Sequence, residues 1–217
     1  MTGVQTCALP IYQAVAAEDQ LRINRKLGQK PPYRDTRALI LRKTVQLQSQ
    51  LTGPDRERLR QAAASALFLN SDAGATRALP GGGIQLTVTS PPFLDVVQYA
   101  RDNWLRCWFN GLDAEAIGDR ITMARTPEEW AASMSRVFAE LYRLTAPGGW
   151  VAFEVGEVRR GAIRLDEIIA PVGVNAGFEC GAVLINAQRF TKTANIWGVE
   201  NNRLGTNSNR IVLFRKT

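Results

Sequence analysis

Residues 85–104 read QLTVTSPPFLDVVQYARDNW. The run Leu86-Thr87-Val88-Thr89 is β-branched and apolar, which predicts a strand, and it stops abruptly on Ser90-Pro91-Pro92-Phe93. Two adjacent prolines fix the backbone and remove two N–H donors, so the carbonyls of Ser90 and Pro91 are left free to accept from a ligand. Ser90 adds a hydroxyl and Phe93 a flat apolar face. Together they offer acceptors for an amino group beside a stacking platform for a planar ring. The plainer reading of the same four residues is a rigid turn after a strand.

Working outward, strand-like segments alternate with helical ones. Strands are expected at 66–74 (ALFLNSDAG, ending near Asp72), 84–90 (IQLTVTS), 148–158 (GGWVAFEVGEV), 181–190 (GAVLINAQRF) and 209–216 (NRIVLFRK). Helices are expected from about Asp95 to Phe109 and from Pro127 to Leu144. The second of these opens on a capping box of Thr126 and Glu129 and closes at Gly148. One more covers RLDEIIAPVGVNAGFE, 164–179. This order predicts an α/β fold: an open, largely parallel, partial doubly wound (Rossmann-like) sheet, covered on both faces and ending in an antiparallel strand pair. In such sheets ligands bind beyond the carboxyl ends of the strands, where Ser90 to Phe93 would sit.

Ahead of the sheet, residues 12–65 are expected to be helical and basic. Helices are expected to stop at Gly28, to break at Pro31-Pro32, and to restart with Pro54 in a first turn. Arg22, Arg25, Lys26, Lys30, Arg34 and Arg37 form a basic cluster, either a solvated helical face or a surface for phosphates. Residues 1–11, MTGVQTCALPI, share no pattern with the rest. They match the translation of a common short-read sequencing adapter and are set apart from the fold. The expected organisation is therefore 1–11 adapter-derived, 12–65 a basic helical segment, and 66–217 the C-terminal part of a catalytic domain.

Composition narrows the chemistry. The 217 residues are 45% hydrophobic and 22% charged, enough to bury one core. The sequence holds no histidine, which excludes Ser-His-Asp and Cys-His hydrolysis and histidine-ligated metals. Three cysteines without CxxC spacing argue against a disulfide framework or a zinc site, so no metal is expected. A net charge of +7 points to a polyanionic partner, nucleic acid first. No apolar run reaches membrane-span length, and a cytoplasmic protein without membrane association is expected.

The motif now becomes specific. TVTSPPF, followed by a helix carrying NWLRCWFNGL, resembles the catalytic motif of the DNA amino-methyltransferases: Asp, Asn or Ser, then Pro-Pro, then an aromatic. The matching positions are Ser90, Pro91, Pro92 and Phe93. LTAPGGWVAFEVG is similar to the strand that follows in that family, and NIWGVENNRLGTNSNRIVLFRK to its closing segment, so the likeness extends, with gaps, from about Ala66 to Lys216. The resemblance implies methyl transfer from S-adenosyl-L-methionine to an exocyclic amino group of a base flipped out of double-stranded DNA. Serine at the first position implies cytosine N4 over adenine N6. Asp72, near a strand end, would approach the cofactor, or else simply form a turn. Tyr99, with Trp104 and Trp108, would frame the base, although helical spacing also fits Trp104 and Trp108 as core residues. Asn195, Trp197, Asn201, Asn202, Asn207 and Arg210 would line the substrate cleft, or else belong to turns. Cys107 lacks the Pro-Cys context of the carbon-5 enzymes and reads as a small hydrophobe.

A glycine-rich cofactor loop following a strand is expected in that family, yet PGGGIQ (80–85) and APGGW (146–150) both precede strands. The expectation is that this chain is the C-terminal part of a longer enzyme and is inactive by itself. RNA or protein amino-methylation, and a non-catalytic nucleic-acid-binding remnant, are the alternatives.

Overall fold

The computed structural model describes residues 17–28, 30, 33–92, 94, 99–121, 124–158, 162–187 and 208–217. Two compact units divide the chain, one of residues 15–70 and one containing residues 71–217.

The first unit has three helices: α1 (Ala17–Leu27), α2 (Thr36–Gln48) and α3 (Gly53–Ser65). Each starts where local chemistry dictates. Glu18 and Asp19 open α1 while Arg25 and Lys26 close it, matching the helix dipole at both ends. Asp35 caps α2 by accepting from the Ala38 amide at 3.1 Å. Thr52 and Asp55 form a reciprocal capping box on α3, with Pro54 in its first turn. Neither α2 nor α3 buries a residue. Arg22, Arg25, Lys26, Lys30, Arg34 and Arg37 are all exposed.

The second unit runs β1 (Ile84–Thr89), α4 (Tyr99–Phe109), α5 (Ala114–Gly118), α6 (Pro127–Leu144), β2 (Thr145–Val155), β3 (Glu157–Val158), β4 (Ile163–Arg164), α7 (Leu165–Asn175), β5 (Glu179–Ala187) and β6 (Ser208–Arg215). Its main sheet has the order β1-β2-β6-β5. β1 pairs parallel to β2, with Thr89 opposite Phe153. β6 is antiparallel to both β2 and β5. Three strands therefore share one direction and β6 is wedged between two of them against it. The α/β class and the antiparallel closing pair expected from the sequence are both present.

Trp130, Met134, Phe138 and Leu141 recur every three or four residues along α6 and form its buried stripe. They meet Val151, Phe153 and Val155 of β2, Val212 and Phe214 of β6, and Leu165 and Ile169 of α7. Phe138 is central, with its ring 4.9 Å from those of Phe153 and Phe214. Polar staples hold the rim. Glu140 accepts from the Thr76 amide at 2.8 Å, Arg143 donates to the carbonyls of Thr76 and Leu79, and the Gly82 amide donates to the Arg143 carbonyl at 2.9 Å. Residues 76–82 are thereby laid along α6 and delivered to the start of β1. Lys216 donates to the carbonyls of Tyr142 and Thr145 at 2.8 and 3.0 Å, tying the end of β6 to the same helix.

Four expectations are corrected. Residues 66–70 form no strand, and Leu67 and Phe68 are exposed. A strand needs a ladder partner, and β1 has no neighbour on its outer edge among the described residues. Helices were expected on both faces of the sheet; among the described residues α6 and α7 pack on one, and α4 packs on α5. On β1 the alternate side chains Leu86 and Val88 stay 60% and 74% exposed. The capping box at α6 is only half made. Thr126 Oγ1 accepts from the Glu129 amide at 3.2 Å, but the Glu129 carboxylate reaches back one residue further, to the Arg125 amide. Finally, α6 closes at Leu144 because Thr145 turns extended, and Gly148 (φ 77°) makes a bend inside β2 instead. The short helix α5 and the strand β4 had no counterpart in the sequence reading, and residues 157–158, expected to continue the strand at 148–158, form the separate β3. No described helix is long and apolar enough to cross a membrane.

Candidate active site

β1 leaves its ladder at Thr89, and the two prolines that follow have no N–H with which to continue it. Ser90 is exposed, Pro91 and Pro92 are half-buried, and Leu94 is driven fully into the core. The turn is held from a second element as well: the indole N–H of Trp130, near the start of α6, donates to the Pro92 carbonyl at 3.1 Å. Its ring is buried. Ser-Pro-Pro is therefore a fixed turn at the carboxyl end of β1, with the Ser90 side facing solvent. Phe93, the fourth residue of the motif, lies outside the described residues.

The same edge of the sheet gathers a second group. β2 ends at Val155, and because β6 is antiparallel its first residues lie there too, with Arg210 opposite Val155 and Ile185. Arg210 donates from Nε to Glu157 at 3.0 Å and from Nη1 to Asp166 at 3.0 Å. Its side chain is 11% exposed. Those hydrogen bonds, Glu157's foremost, push the guanidinium pKa up. Among the described residues, one oxygen of Asp166 is buried without a hydrogen-bond partner. Arg210, expected to line the substrate cleft, thus has its guanidinium engaged by two carboxylates of its own chain.

The remaining expected residues scatter. Asp72 does not end a strand: its carboxylate accepts from the Gly74 amide at 2.7 Å in a tight local turn and stays 58% exposed. It lies 3.9 Å from Arg136, six residues along α6 from Trp130, or about 9 Å of helix rise. Tyr99 begins α4, Trp104 is half-buried and Trp108 is 70% exposed, so Trp108 is no core residue. Asn195, Trp197, Asn201, Asn202 and Asn207 lie outside the described residues. Between α4 and α5 is a largely apolar cleft of about 270 Å³ whose lining includes Ala100, Asn103, Arg106, Cys107 and Ile117. Partial burial against the core pushes the pKa of the Cys180 thiol up.

Neither glycine-rich turn belongs to this edge. Gly81 to Gly83 precede β1 and are tied to Arg143 at the far end of α6, and Gly148-Gly149 sit at the entry of β2. Among the described residues no group of three or more Cys, Asp or Glu could hold a metal ion.

Sequence reasoning missed Trp130, Glu157 and Asp166. Trp130 fits the apolar stripe of α6 so well that nothing local signals a use for its N–H. The two carboxylates lie 53 and 44 residues from Arg210 in sequence.

No protein-family model matches the chain, and no curated protein matches it. Solved structures do. PvuII DNA methyltransferase (cytosine-N4-specific) is 15% identical over 69% of this chain and 48% of that one, with a TM-score of 0.44. A Thermus thermophilus protein named as a DNA modification methylase, complexed with S-adenosyl-L-methionine, is 22% identical over 67% of this chain and 51% of that one, with a TM-score of 0.42. An S-adenosylmethionine-dependent methyltransferase from Mesorhizobium loti is 13% identical over 76% of this chain and 78% of that one, with a TM-score of 0.38. The chain spans about half the length of the first two.

Proposed function

We propose that this chain carries the amino-holding part of a DNA amino-methyltransferase. The observation that carries the reading is the Ser90-Pro91-Pro92 turn, fixed at the carboxyl end of β1 with its serine exposed. The amino nitrogen of cytosine or adenine is a poor nucleophile because its lone pair is delocalised into the ring. Two N–H groups donated to Ser90 Oγ and the Pro91 carbonyl would pyramidalise that nitrogen and aim its lone pair away from the protein. Phe93 would stack on the base once it is flipped from double-stranded DNA. Serine in the motif favours cytosine N4 over adenine N6, on family resemblance. The exposed basic residues of α1 and its C-terminal side suit a polyanion better than a protein substrate.

S-adenosyl-L-methionine, the donor that the resemblance implies, supplies an electrophilic sulfonium methyl. The described residues do not fit it as a complete site, because both glycine-rich turns lie at strand entries, away from Ser90. The role assigned to this chain is accordingly the acceptor half: binding and orienting the amino group. Asp72, exposed in its own turn, has no part in that role.

The test is an NMR titration of the full chain with 1-methylcytosine and with 1-methylthymine, which lacks the exocyclic amine. Selective binding of 1-methylcytosine is expected, with Ser90→Ala weakening it about two- to tenfold, the worth of one neutral hydrogen bond. Equal binding of both bases, or an unchanged Ser90→Ala, overturns the reading.

A further inference from the structure

We infer that Trp130 is the positioning residue of the Ser90–Pro92 turn, fixing which acceptors a substrate amino group meets; the inference rests on the amino-group reading above. Prolines at 91 and 92 leave this stretch without two of its backbone donors, so it cannot be fastened by its own N–H groups. The fastening comes from another element. Indole is a donor only, and Trp130 donates to the Pro92 carbonyl at 3.1 Å from a buried ring with no freedom to swing away. The ring's own backbone is fixed in turn. The Trp130 amide donates to the Thr126 carbonyl at 3.0 Å, and Pro127 and the Thr126 cap set the start of α6.

The consequence is selective. The Pro92 carbonyl already accepts from Trp130 and Leu94 is locked in the core, while Ser90 is exposed; on the amino-group reading the Ser90 hydroxyl and the Pro91 carbonyl are the acceptors assigned to the amine. An exocyclic amine has two N–H groups, and the pair of acceptors that takes them decides where its lone pair points. A turn free to rotate would offer the Pro92 carbonyl as a competitor and spread that direction.

The test uses the full chain with the sulfur isostere of tryptophan, benzothienylalanine, at position 130, which keeps the shape and removes the donor. Trp130→Phe is the second variant. Amide hydrogen exchange should rise at residue 94 and in residues 99–104 and stay unchanged in β2 and α7, while affinity for 1-methylcytosine falls about five- to tenfold. If the isostere keeps wild-type affinity, the inference is overturned and the amino-group reading stands. If wild type prefers neither base, that reading fails and the substrate role of Trp130 falls with it. Exchange rising throughout β2 and α7 in both variants would make Trp130 an ordinary core residue and also overturn the inference.

Discussion

Gly173 of α7 and Phe214 of β6 occupy each other's space: a β-carbon at position 173 would overlap the phenyl ring. The absent side chain lets the helix lie directly on the sheet, and Phe214 is fully buried beneath it. Gly173→Ala should therefore destabilise the unit by about 1–3 kcal/mol, the usual cost of overpacking a filled core. Urea denaturation followed by circular dichroism checks this, and a neutral substitution would contradict the packing described.

Arg210 holds Glu157 and Asp166 together at the carboxyl edge, with side-chain exposures of 20% and 8% for the two acids. Arg210→Leu would take away the guanidinium that bridges the two carboxylates. The expected loss is about 3 kcal/mol, the low end for a broken buried pair, because Glu157 keeps contact with water. Adding Glu157→Gln to Arg210→Leu should recover part of that loss in the same denaturation assay. Additive losses would show that the two groups do not interact.

Acid should loosen the staple on α6. The Arg143 hydrogen bond, aided by the Thr76 amide against the opposing cost of desolvation, holds the Glu140 carboxyl below its ordinary value. A depressed folded pKa gives stability that is fully present above the ordinary glutamate range and is lost as pH falls through the folded value. Residues 76–83 should thus exchange their amides faster, relative to β2, as pH drops below about 4. In Glu140→Gln that extra acid sensitivity should vanish. Its persistence would assign the effect to another group.

Salt dependence distinguishes the two readings of the basic helices. If Arg25, Lys26 and Lys30 contact phosphates, DNA affinity falls steeply with salt, and replacing all three by alanine lowers the log–log slope by up to about 0.9 per lost contact. An unchanged slope returns them to a solvated face.

How much was legible follows from the range of the interactions. Pro127 and the Thr126 hydroxyl act within one turn, so α6 could be bounded from sequence nearly to the residue. Pro91 and Pro92 likewise announce the end of β1 by themselves. The strand expected at residues 66–74 failed because pairing is decided by a distant partner, which an apolar run such as Leu67-Phe68-Leu69 cannot disclose. Arg210 was expected in the substrate cleft from the family resemblance, but its carboxylate partners lie 53 and 44 residues away. Trp130 was legible as core and illegible as a donor, since burial and hydrogen bonding leave the same mark on the sequence.

The placing of β6 between β2 and β5 has a consequence for the order in which the molecule is built. β2 and β5 share no ladder; their hydrogen bonding is joined through β6, a strand synthesised after both. A nascent chain that has released residues up to 187 holds two strands whose inner edges and apolar faces wait for residues 208–215. During that interval the ribosome-bound chain leaves the β2 edge from Trp150 to Val155 without its ladder partner, and assembly is necessarily late and long-range. Ribosome-stalled chains ending near residue 200 should accordingly be cut rapidly by protease within β2. Stalled chains long enough to free residue 215 from the exit tunnel should resist, and equal protection of both lengths would show that β6 is not what completes the sheet.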